Sequence, residues 1–316
     1  MTEHNAEHFI VASGLVKIFQ VAGLEVVALQ GLDLEVARGE ILALIGPSGS
    51  GKSTLLNALG GLDRPSAGRL EVDGQNLLKF SPAELTTYRR EQVGFVWQQT
   101  ARNLLPYLSA RLNVELLMTL ASRGWRGAPW ARRAWASELL DAVEMTEHAG
   151  QKPPQLSGGQ QQRISIACAL ANKPQILLAD EPTGEVDWPT AQLILTLLRD
   201  LRERYGLTIV LVTHDPRVAE WADRVIAIRD GRTSTETVRT TDDRRPARRA
   251  FGGRWSAVGG RGTCGARQRR PPPASGRPAR GCRYQAARAR RAGRWRHPDP
   301  ARRRRAHRHG RGRRGL

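Results

Sequence analysis

Residues 46–53, GPSGSGKS, combine small residues with a lysine and hydroxyl groups in a pattern suited to binding phosphate. An apolar run, Ile41–Ile45, precedes them, and a predicted helix with leucines at positions 55, 56, 59 and 62 follows. In this strand–loop–helix context, loop amides and the positive end of the helix dipole can surround an anion. An incidental glycine-rich turn is the alternative. The predicted phosphate-binding residues are Gly46, Pro47, Ser48, Gly49, Ser50, Gly51, Lys52, Ser53 and Thr54.

Two acidic residues end a second apolar run, QILLADEP at residues 175–182. Because Asp180 and Glu181 are consecutive in a predicted strand, their side chains should point to opposite sides. We predict that Asp180 holds Mg²⁺ opposite Ser53, whose hydroxyl is a second metal ligand, and that Glu181 acts as the general base for an attacking water. A chance pair of carboxylates at a strand end is the alternative.

A third apolar run, TIVLVTHD at residues 208–215, is predicted to be a strand that ends in His214. A lone histidine at a strand end is usually a capped surface residue. Here, however, it should lie at the same sheet edge as Gly46 and Asp180, where ligands gather in parallel α/β sheets. We predict a catalytic contact between His214 and the terminal phosphate.

A second candidate anion site is LSGGQ, residues 156–160. Ser157, Gly158 and Gly159 offer hydrogen-bond donors at the start of a predicted helix, Gln160–Ala171. A helix-initiating turn with serine as the N-cap is the alternative, and it explains Ser157 but not both glycines.

These motifs, in this order and spacing over about residues 9–240, resemble the nucleotide-binding subunit of an ATP-binding-cassette (ABC) transporter. Finer features resemble the lipoprotein-releasing, macrolide-export and FtsE-like branch; they lie in residues 15–36, 94–116, 179–187 and 213–232. The resemblance implies an α/β fold: a P-loop NTPase cassette with a RecA-like core, an antiparallel β subdomain and an inserted helical subdomain.

The resemblance also implies partners and a reaction. In this family two cassettes pack head to tail, and LSGGQ of each caps the γ-phosphate bound by its twin, here through Ser157, Gly158, Gly159 and Gln160. The implied activity is ATP hydrolysis with ATP and Mg²⁺ as ligands. The implied partners are a second copy and an integral-membrane permease of the FtsX/MacB type. The implied location is the cytoplasm, at the inner face of the cell membrane.

Three further residues take roles only by this resemblance. Phe19 corresponds to the aromatic residue that stacks on adenine, with core packing as the alternative. Gln98 corresponds to the glutamine that senses Mg²⁺ and the attacking water. Asp187 corresponds to the aspartate that crosses the dimer interface. Val186 and Cys168 depart from the family, which has Leu and Arg there; we expect Cys168 to be a partly buried small hydrophobe without a redox role.

The cassette, residues 1–240, is predicted to comprise an ATP core (about 9–95 and 165–240) and a helical insert, about 96–164. Ser81-Pro82 is a favourable helix start. A second helix is predicted within residues 128–145, with Trp135, Leu139, Leu140 and Val143 at helical spacing.

Other apolar residues of the insert are open to two interpretations. Trp125, Trp130 and Trp135 are either core residues or permease contacts. The resemblance favours Asn103–Tyr107 as the surface on which a permease docks, although its apolar character also suits a core.

The last part of the chain differs sharply in composition. Residues 241–316 contain 25 arginines, no lysine and three acidic residues, so their net charge is +22, whereas residues 1–240 carry −2 and the whole chain carries +20. These residues also include few large apolar side chains, too few to bury the surface that would offset the conformational entropy of the chain. We therefore predict that the segment is disordered. An arginine-rich binding tail and an out-of-frame translation of a GC-rich gene are both open explanations. The absence of lysine favours the second.

Composition excludes several classes. The N-terminal residues lack the features of a secretory signal, no apolar run approaches the length of a membrane span, and three cysteines form no disulfide framework.

The alternative function is a nucleic-acid-associated ABC ATPase that uses residues 241–316. Against it, residues 98–156 contain no sustained heptads and no C-x-x-C motif. For the core, which is close to neutral, we expect no nucleic-acid binding.

Overall fold

A computed structural model describes residues 8–21, 23–121 and 129–238, all within one compact unit. The predicted tail, residues 241–316, lies outside the described residues. The strands are β1 (His8–Val21), β2 (Leu24–Ala37), β3 (Ile41–Ile45), β4 (Ala67–Val72), β5 (Gln75–Asn76), β6 (Val93–Val96), β7 (Ile176–Asp180), β8 (Thr208–Val212), β9 (Arg224–Arg229) and β10 (Arg232–Val238). The helices are α1 (Lys52–Leu59), α2 (Pro82–Glu91), α3 (Ala110–Leu120), α4 (Pro129–Ala142), α5 (Gly158–Leu170), α6 (Trp188–Tyr205) and α7 (Pro216–Ala219).

Two sheets organise the chain. Six strands form a mostly parallel sheet in the order β10-β9-β3-β8-β7-β6, in which only the β9–β10 pair is antiparallel. The other four strands form an antiparallel sheet in the order β2-β1-β4-β5. The second sheet agrees with the predicted antiparallel β subdomain.

Each face of the six-stranded sheet packs against a separate hydrophobic core. Side chains alternate along a strand, so Ile41 and Ala43 of β3 face one core, while Leu42 and Leu44 face the other. The first core contains the buried faces of α3, α4, α5 and α6; the second contains α1 and the four-stranded sheet. Burial on both faces explains why the central strands read as continuous apolar runs.

Helix starts follow local capping chemistry. Ser81 forms a capping box with Glu84 at the start of α2, as the Ser81-Pro82 pair predicts. Ser157 forms a second capping box with Gln160. Consequently α5 begins at Gly158, two residues earlier than predicted, and both glycines lie inside its first turn.

Three predicted element ends are wrong. Strand β7 stops at Asp180, so Glu181, predicted to be a strand residue, lies just beyond the strand in a left-handed conformation. Helix α1 stops at Leu59, so Leu62 lies beyond the helix and is 47% exposed instead of lining its apolar face. Strand β8 stops at Val212, so His214 lies on the loop after the strand. Helix α5 also continues past residue 164, and the limits of the helical insert remain a prediction.

The apolar residues of the insert divide between core and surface. The Trp135 side chain is buried, and its indole N–H donates to the Ala171 carbonyl at 2.9 Å, whereas Trp130 is 77% exposed. Trp125 lies outside the described residues. Within the predicted docking segment, Leu104 is buried in the core and Tyr107 is exposed. Only part of Asn103–Tyr107 is therefore available to a partner.

None of the helices in the described ranges combines the length and apolarity needed to cross a bilayer.

Cys168 lies in the first core and is buried, more completely than expected. Burial raises the pKa of its thiol to about 12. Since the thiolate is the nucleophile, a thiol with this pKa and no solvent access should be unreactive.

We expect a Cys264→Ser/Cys282→Ser chain to resist Ellman's reagent while folded, and raising the pH from 7 to 9 should not change this. In denaturant the same thiol should react at least ~100-fold faster and accelerate as the pH approaches 8.5, its ordinary pKa. Absorbance of the released thionitrobenzoate measures both rates. Rapid stoichiometric labelling of the folded chain would contradict the burial of Cys168.

Candidate active site

The candidate site lies where three parallel strands end at the same level. Leu44 of β3 and Asp180 of β7 are both paired in register with Val212 of β8, the strand between them. The residues that follow each strand therefore emerge side by side at one sheet edge. These residues include Gly46, Glu181 and His214.

The phosphate loop, residues 46–54, is held by close packing against the end of the sheet. Gly46 has φ 150°, and a Cβ added there would lie 2.2 Å from the Ile228 carbonyl oxygen of β9. The Ser50 carbonyl accepts a hydrogen bond from Gly231 N–H at 3.0 Å. The chain's own packing thus requires glycine at position 46, independently of any ligand.

Lys52 is the first residue of α1, and its side chain turns back into the phosphate loop. Its ammonium donates to the carbonyls of Gly46 (2.9 Å) and Pro47 (2.8 Å). Burial lowers the pKa of Lys52, and the carboxylates of Glu181 and Asp180 oppose that shift. The first N–H groups of α1 have no partner within the helix, as at any helix start, and Gly51 has no side chain that could cap them. Together these donors suit an anion.

Ser53 and Asp180 form the candidate metal position. The Ser53 hydroxyl donates to Asp180 Oδ1 at 3.4 Å. Burial raises the pKa of the Asp180 carboxyl, while the Ser53 hydrogen bond and the nearby charges of Lys52 and Arg102 oppose the rise. No group of three or more metal-ligating acids, histidines or cysteines occurs among the described residues. A hydroxyl and one carboxylate, completed by water and phosphate oxygens, nevertheless fit the ligand preference of Mg²⁺.

Glu181 and His214 contact each other at the same sheet edge. Glu181 Oε1 lies 2.9 Å from His214 Nδ1, and the Glu181 N–H donates to the Val212 carbonyl. Glu181 has φ 47°, a left-handed conformation that is costly for a non-glycine residue. The histidine side chain is 70% exposed. The sequence placed both residues at this edge but did not indicate that they pair.

Gln98 is exposed on the loop after β6. The 3₁₀ helix Thr100–Arg102 follows it, and the Arg102 guanidinium lies 5.6 Å above the Trp97 ring. Arg102 is a residue that the sequence did not single out, although its charge acts on Asp180. No spacing rule connects residue 102 with residue 180, so only the fold could reveal it.

Phe19 lies on β1, and its ring is half-buried beneath Lys17, whose Nζ is 4.7 Å from the ring centroid. Within the part of the chain that the structure describes, Phe19 packs in neither hydrophobic core. The alternative that Phe19 is a core residue is therefore wrong.

The Ser157 turn, residues 157–160, is a separate structure. Its Ser157 hydroxyl accepts from Gln160 N–H at 3.3 Å, and Gln160 Oε1 accepts from Ser157 N–H at 2.9 Å. Among the described residues, no hydrogen bond or ion pair joins this turn to the phosphate loop. Asp187, at the N-cap of α6, is exposed and makes no side-chain capping hydrogen bond.

Comparison with known proteins identifies the family. A family model described as ABC transporter matches residues 29–184. The chain is 44% identical over 237 residues to the "Uncharacterized ABC transporter ATP-binding protein MJ0796" of Methanocaldococcus jannaschii, and the match covers 74% of this chain and 100% of that protein. This chain belongs to the ABC transporter ATP-binding family. The family predicted from the sequence is confirmed.

Two further similarities bear on the cassette. It is 45% identical over 215 residues to a "Macrolide export ATP-binding/permease protein MacB" of Syntrophobacter fumaroxidans, across 68% of this chain and 30% of that protein. The chain therefore spans less than a third of that relative. A solved dimeric structure of MJ0796, in a post-hydrolysis state bound to ADP and Pi, has a TM-score of 0.66 at 42% identity, covering 72% of this chain and 98% of that one. The predicted cassette fold is confirmed.

The two glycines of the Ser157 turn differ in their surroundings. A Cβ at Gly159 would lie 2.5 Å from Cγ2 of Thr190 in α6, whereas a Cβ at Gly158 would meet nothing closer than the Glu185 carbonyl oxygen at 3.8 Å. Close packing of α5 on α6 explains Gly159. It does not explain Gly158.

We expect Gly159→Ala to destabilise the cassette by about 1–3 kcal/mol, because Thr190 or the helices must move. Gly158→Ala should be neutral within about 0.5 kcal/mol or slightly stabilising, since alanine suits a helix better than glycine. Urea unfolding followed by circular dichroism measures both. Adding Thr190→Ala should restore the stability of Gly159→Ala, and failure of this rescue would refute the steric explanation.

Proposed function

We propose that the cassette binds and hydrolyses ATP with Mg²⁺, in a pair with a second copy, to drive an integral-membrane permease. The convergence of Lys52, Ser53, Asp180, Glu181 and His214 at one sheet edge is the observation that carries this proposal. It gathers a phosphate-binding cation, a metal position and a base within one small region.

Binding is assigned to the phosphate loop. Its amides and the Lys52 ammonium, which already sits among loop carbonyls, would hold the phosphates of ATP. Phe19 would stack on the adenine. When bound between Ser53 and Asp180, Mg²⁺ would neutralise charge on the phosphate oxygens, and Gln98 would contact the metal and the water.

Glu181 is assigned to orient and deprotonate the attacking water. Its contact with His214 supports this role, because a hydrogen bond from Nδ1–H fixes the carboxylate. A neutral His214 with its proton on Nδ1 can only accept at Nε2. If the predicted contact with the terminal phosphate is a hydrogen bond donated by Nε2, it therefore requires the doubly protonated ring.

The second copy is needed because the Ser157 turn and the phosphate loop do not meet within one chain. The hydroxyl of Ser157 accepts within the capping box and still has its own proton to donate, so Ser157, Gly158, Gly159 and Gln160 would complete the ATP site of the twin. Asp187 would lie at the interface between copies. The dimeric state described for MJ0796 supports this arrangement.

The permease and its cargo are proposed from the relatives. The name of MacB joins ATP binding, a permease and macrolide export in one protein. We propose the inner face of the cell membrane as the location, with the exposed part of Asn103–Tyr107 facing the permease. Lipoprotein release, macrolide export and peptide export are the candidate transport processes. The nucleic-acid alternative depends on residues 241–316, outside the described residues, and neither MacB nor MJ0796 is named for nucleic-acid binding.

We expect Glu181→Gln to lower the rate of ATP hydrolysis by about 10²–10⁴-fold while ATP binding is retained, because the base is lost but the phosphate loop is intact. The variant should accumulate as an ATP-dependent dimer in size-exclusion chromatography. Phosphate release measures turnover. Glu203→Gln, an exposed glutamate of α6, is the matched control and should behave like the unmodified chain. Normal hydrolysis by Glu181→Gln would remove Glu181 from its assigned role.

A further inference from the structure

Gln161 is the residue after the Ser157 turn, and its side-chain amide has two partners. Its Nε2 donates to the Leu156 carbonyl at 3.1 Å. Its Oε1 accepts from the Thr100 hydroxyl at 3.2 Å. One side chain thus connects the start of α5 with the loop that carries Gln98.

The chemistry of the three groups fixes the direction of both hydrogen bonds. A carbonyl can only accept, so Leu156 must face the NH₂ end of the amide. The amide oxygen is then turned toward Thr100, whose hydroxyl supplies the proton. Removing the Thr100 hydroxyl would leave the half-buried amide oxygen without this donor.

The Thr100 end of the bridge holds the loop around Gln98. The Asn103 N–H donates to the Thr100 carbonyl at 2.9 Å, and Asn103 Oδ1 accepts from Trp97 N–H at 3.3 Å. Gln98 therefore lies between two residues that are each hydrogen-bonded to Asn103, Trp97 before it and Thr100 after it.

The Leu156 end of the bridge holds the Ser157 turn. Leu156 is 7% exposed, and its side chain belongs to the first core. Its carbonyl group directly precedes Ser157. A shift of Gln161 would therefore alter the position from which the turn begins.

We propose that Gln161 is a positioning residue that couples the two ATP sites of a cassette pair. This rests on the proposed function, in which Gln98 serves the ATP of its own chain and the Ser157 turn serves the ATP of the twin. Nucleotide that orders Gln98 in one site would, through Thr100 and Gln161, favour the ordered turn in the other site. Such coupling makes ATP binding cooperative across the pair.

The experiment is a double-mutant cycle on ATP hydrolysis by the full chain, measured over a range of ATP concentrations with excess Mg²⁺. Thr100→Val and Gln161→Leu each remove the bridge, and the combined variant closes the cycle. Thr100→Ser keeps the hydroxyl. Thr196→Val is the matched control, because Thr196 is an exposed threonine that bonds only within α6.

We expect a Hill coefficient of about two for the unmodified chain, falling to about one in both bridge variants. The half-saturating ATP concentration should rise about fivefold, the effect of one lost hydrogen bond, while kcat changes much less. The combined variant should be no worse than either single variant. Thr100→Ser and Thr196→Val should retain cooperativity. Thermal melting shows whether Gln161→Leu is folded. If it is not, Thr100→Val still tests the coupling, because it removes the same hydrogen bond from the other end of the bridge.

Unchanged cooperativity in folded bridge variants, or effects that multiply in the combined variant, would overturn the coupling and leave the proposed function intact. Loss of cooperativity in Thr100→Ser or Thr196→Val would also overturn it. Undiminished hydrolysis by Lys52→Ala would instead overturn the proposed function, and the coupling with it.

Discussion

The register of three parallel strands is the constraint on which the candidate site depends. Leu44, Val212 and Asp180 lie level across β3, β8 and β7, so the loops that follow must share one edge. A slip of one residue in any of these strands would reverse which side chains face each core and would displace the loop that follows. The two cores on opposite faces of the sheet prevent that slip, because successive apolar residues of each strand are buried alternately in one core and the other.

Charge explains why such an edge needs more than the residues of one chain. Lys52 interacts with the carboxylates of Asp180 and Glu181, and Arg102 interacts with that of Asp180, so two positive charges face two negative ones. The phosphates of ATP would add several negative charges to a region that has no excess of positive charge. Mg²⁺ between Ser53 and Asp180, and donors from a second Ser157 turn, would supply the missing stabilisation. The metal ion and the second chain would thus both stabilise the negative charge of the ATP phosphates.

Much of the fold follows from local sequence patterns. The apolar runs that end near Ile45, Asp180 and Val212 predict buried parallel strands, and Ser81 predicts the start of α2. Tertiary contacts decide the rest. Gly159 is required because of close packing against Thr190, thirty-one residues later in the chain. The hydrogen-bond partner of the Thr100 hydroxyl is Gln161, which is also distant in sequence. Leu104 and Tyr107 are neighbours in one apolar segment, yet one is buried and the other exposed. No periodicity in the sequence records such contacts. The ends of the apolar runs nevertheless placed Asp180, Glu181 and His214 at one sheet edge, where the structure also has them.

The claim that each Ser157 turn serves the other chain can be tested by mixing two inactive variants. Lys52→Ala disables the phosphate loop, and Ser157→Asp keeps a good N-cap but places a negative charge against the phosphate. In a mixed pair, one site combines both defects and the other has neither. The expected result is recovery of ATP hydrolysis to about a quarter of the unmodified rate in a random mixture. No recovery, with mixed pairs demonstrated to form, would contradict the shared site.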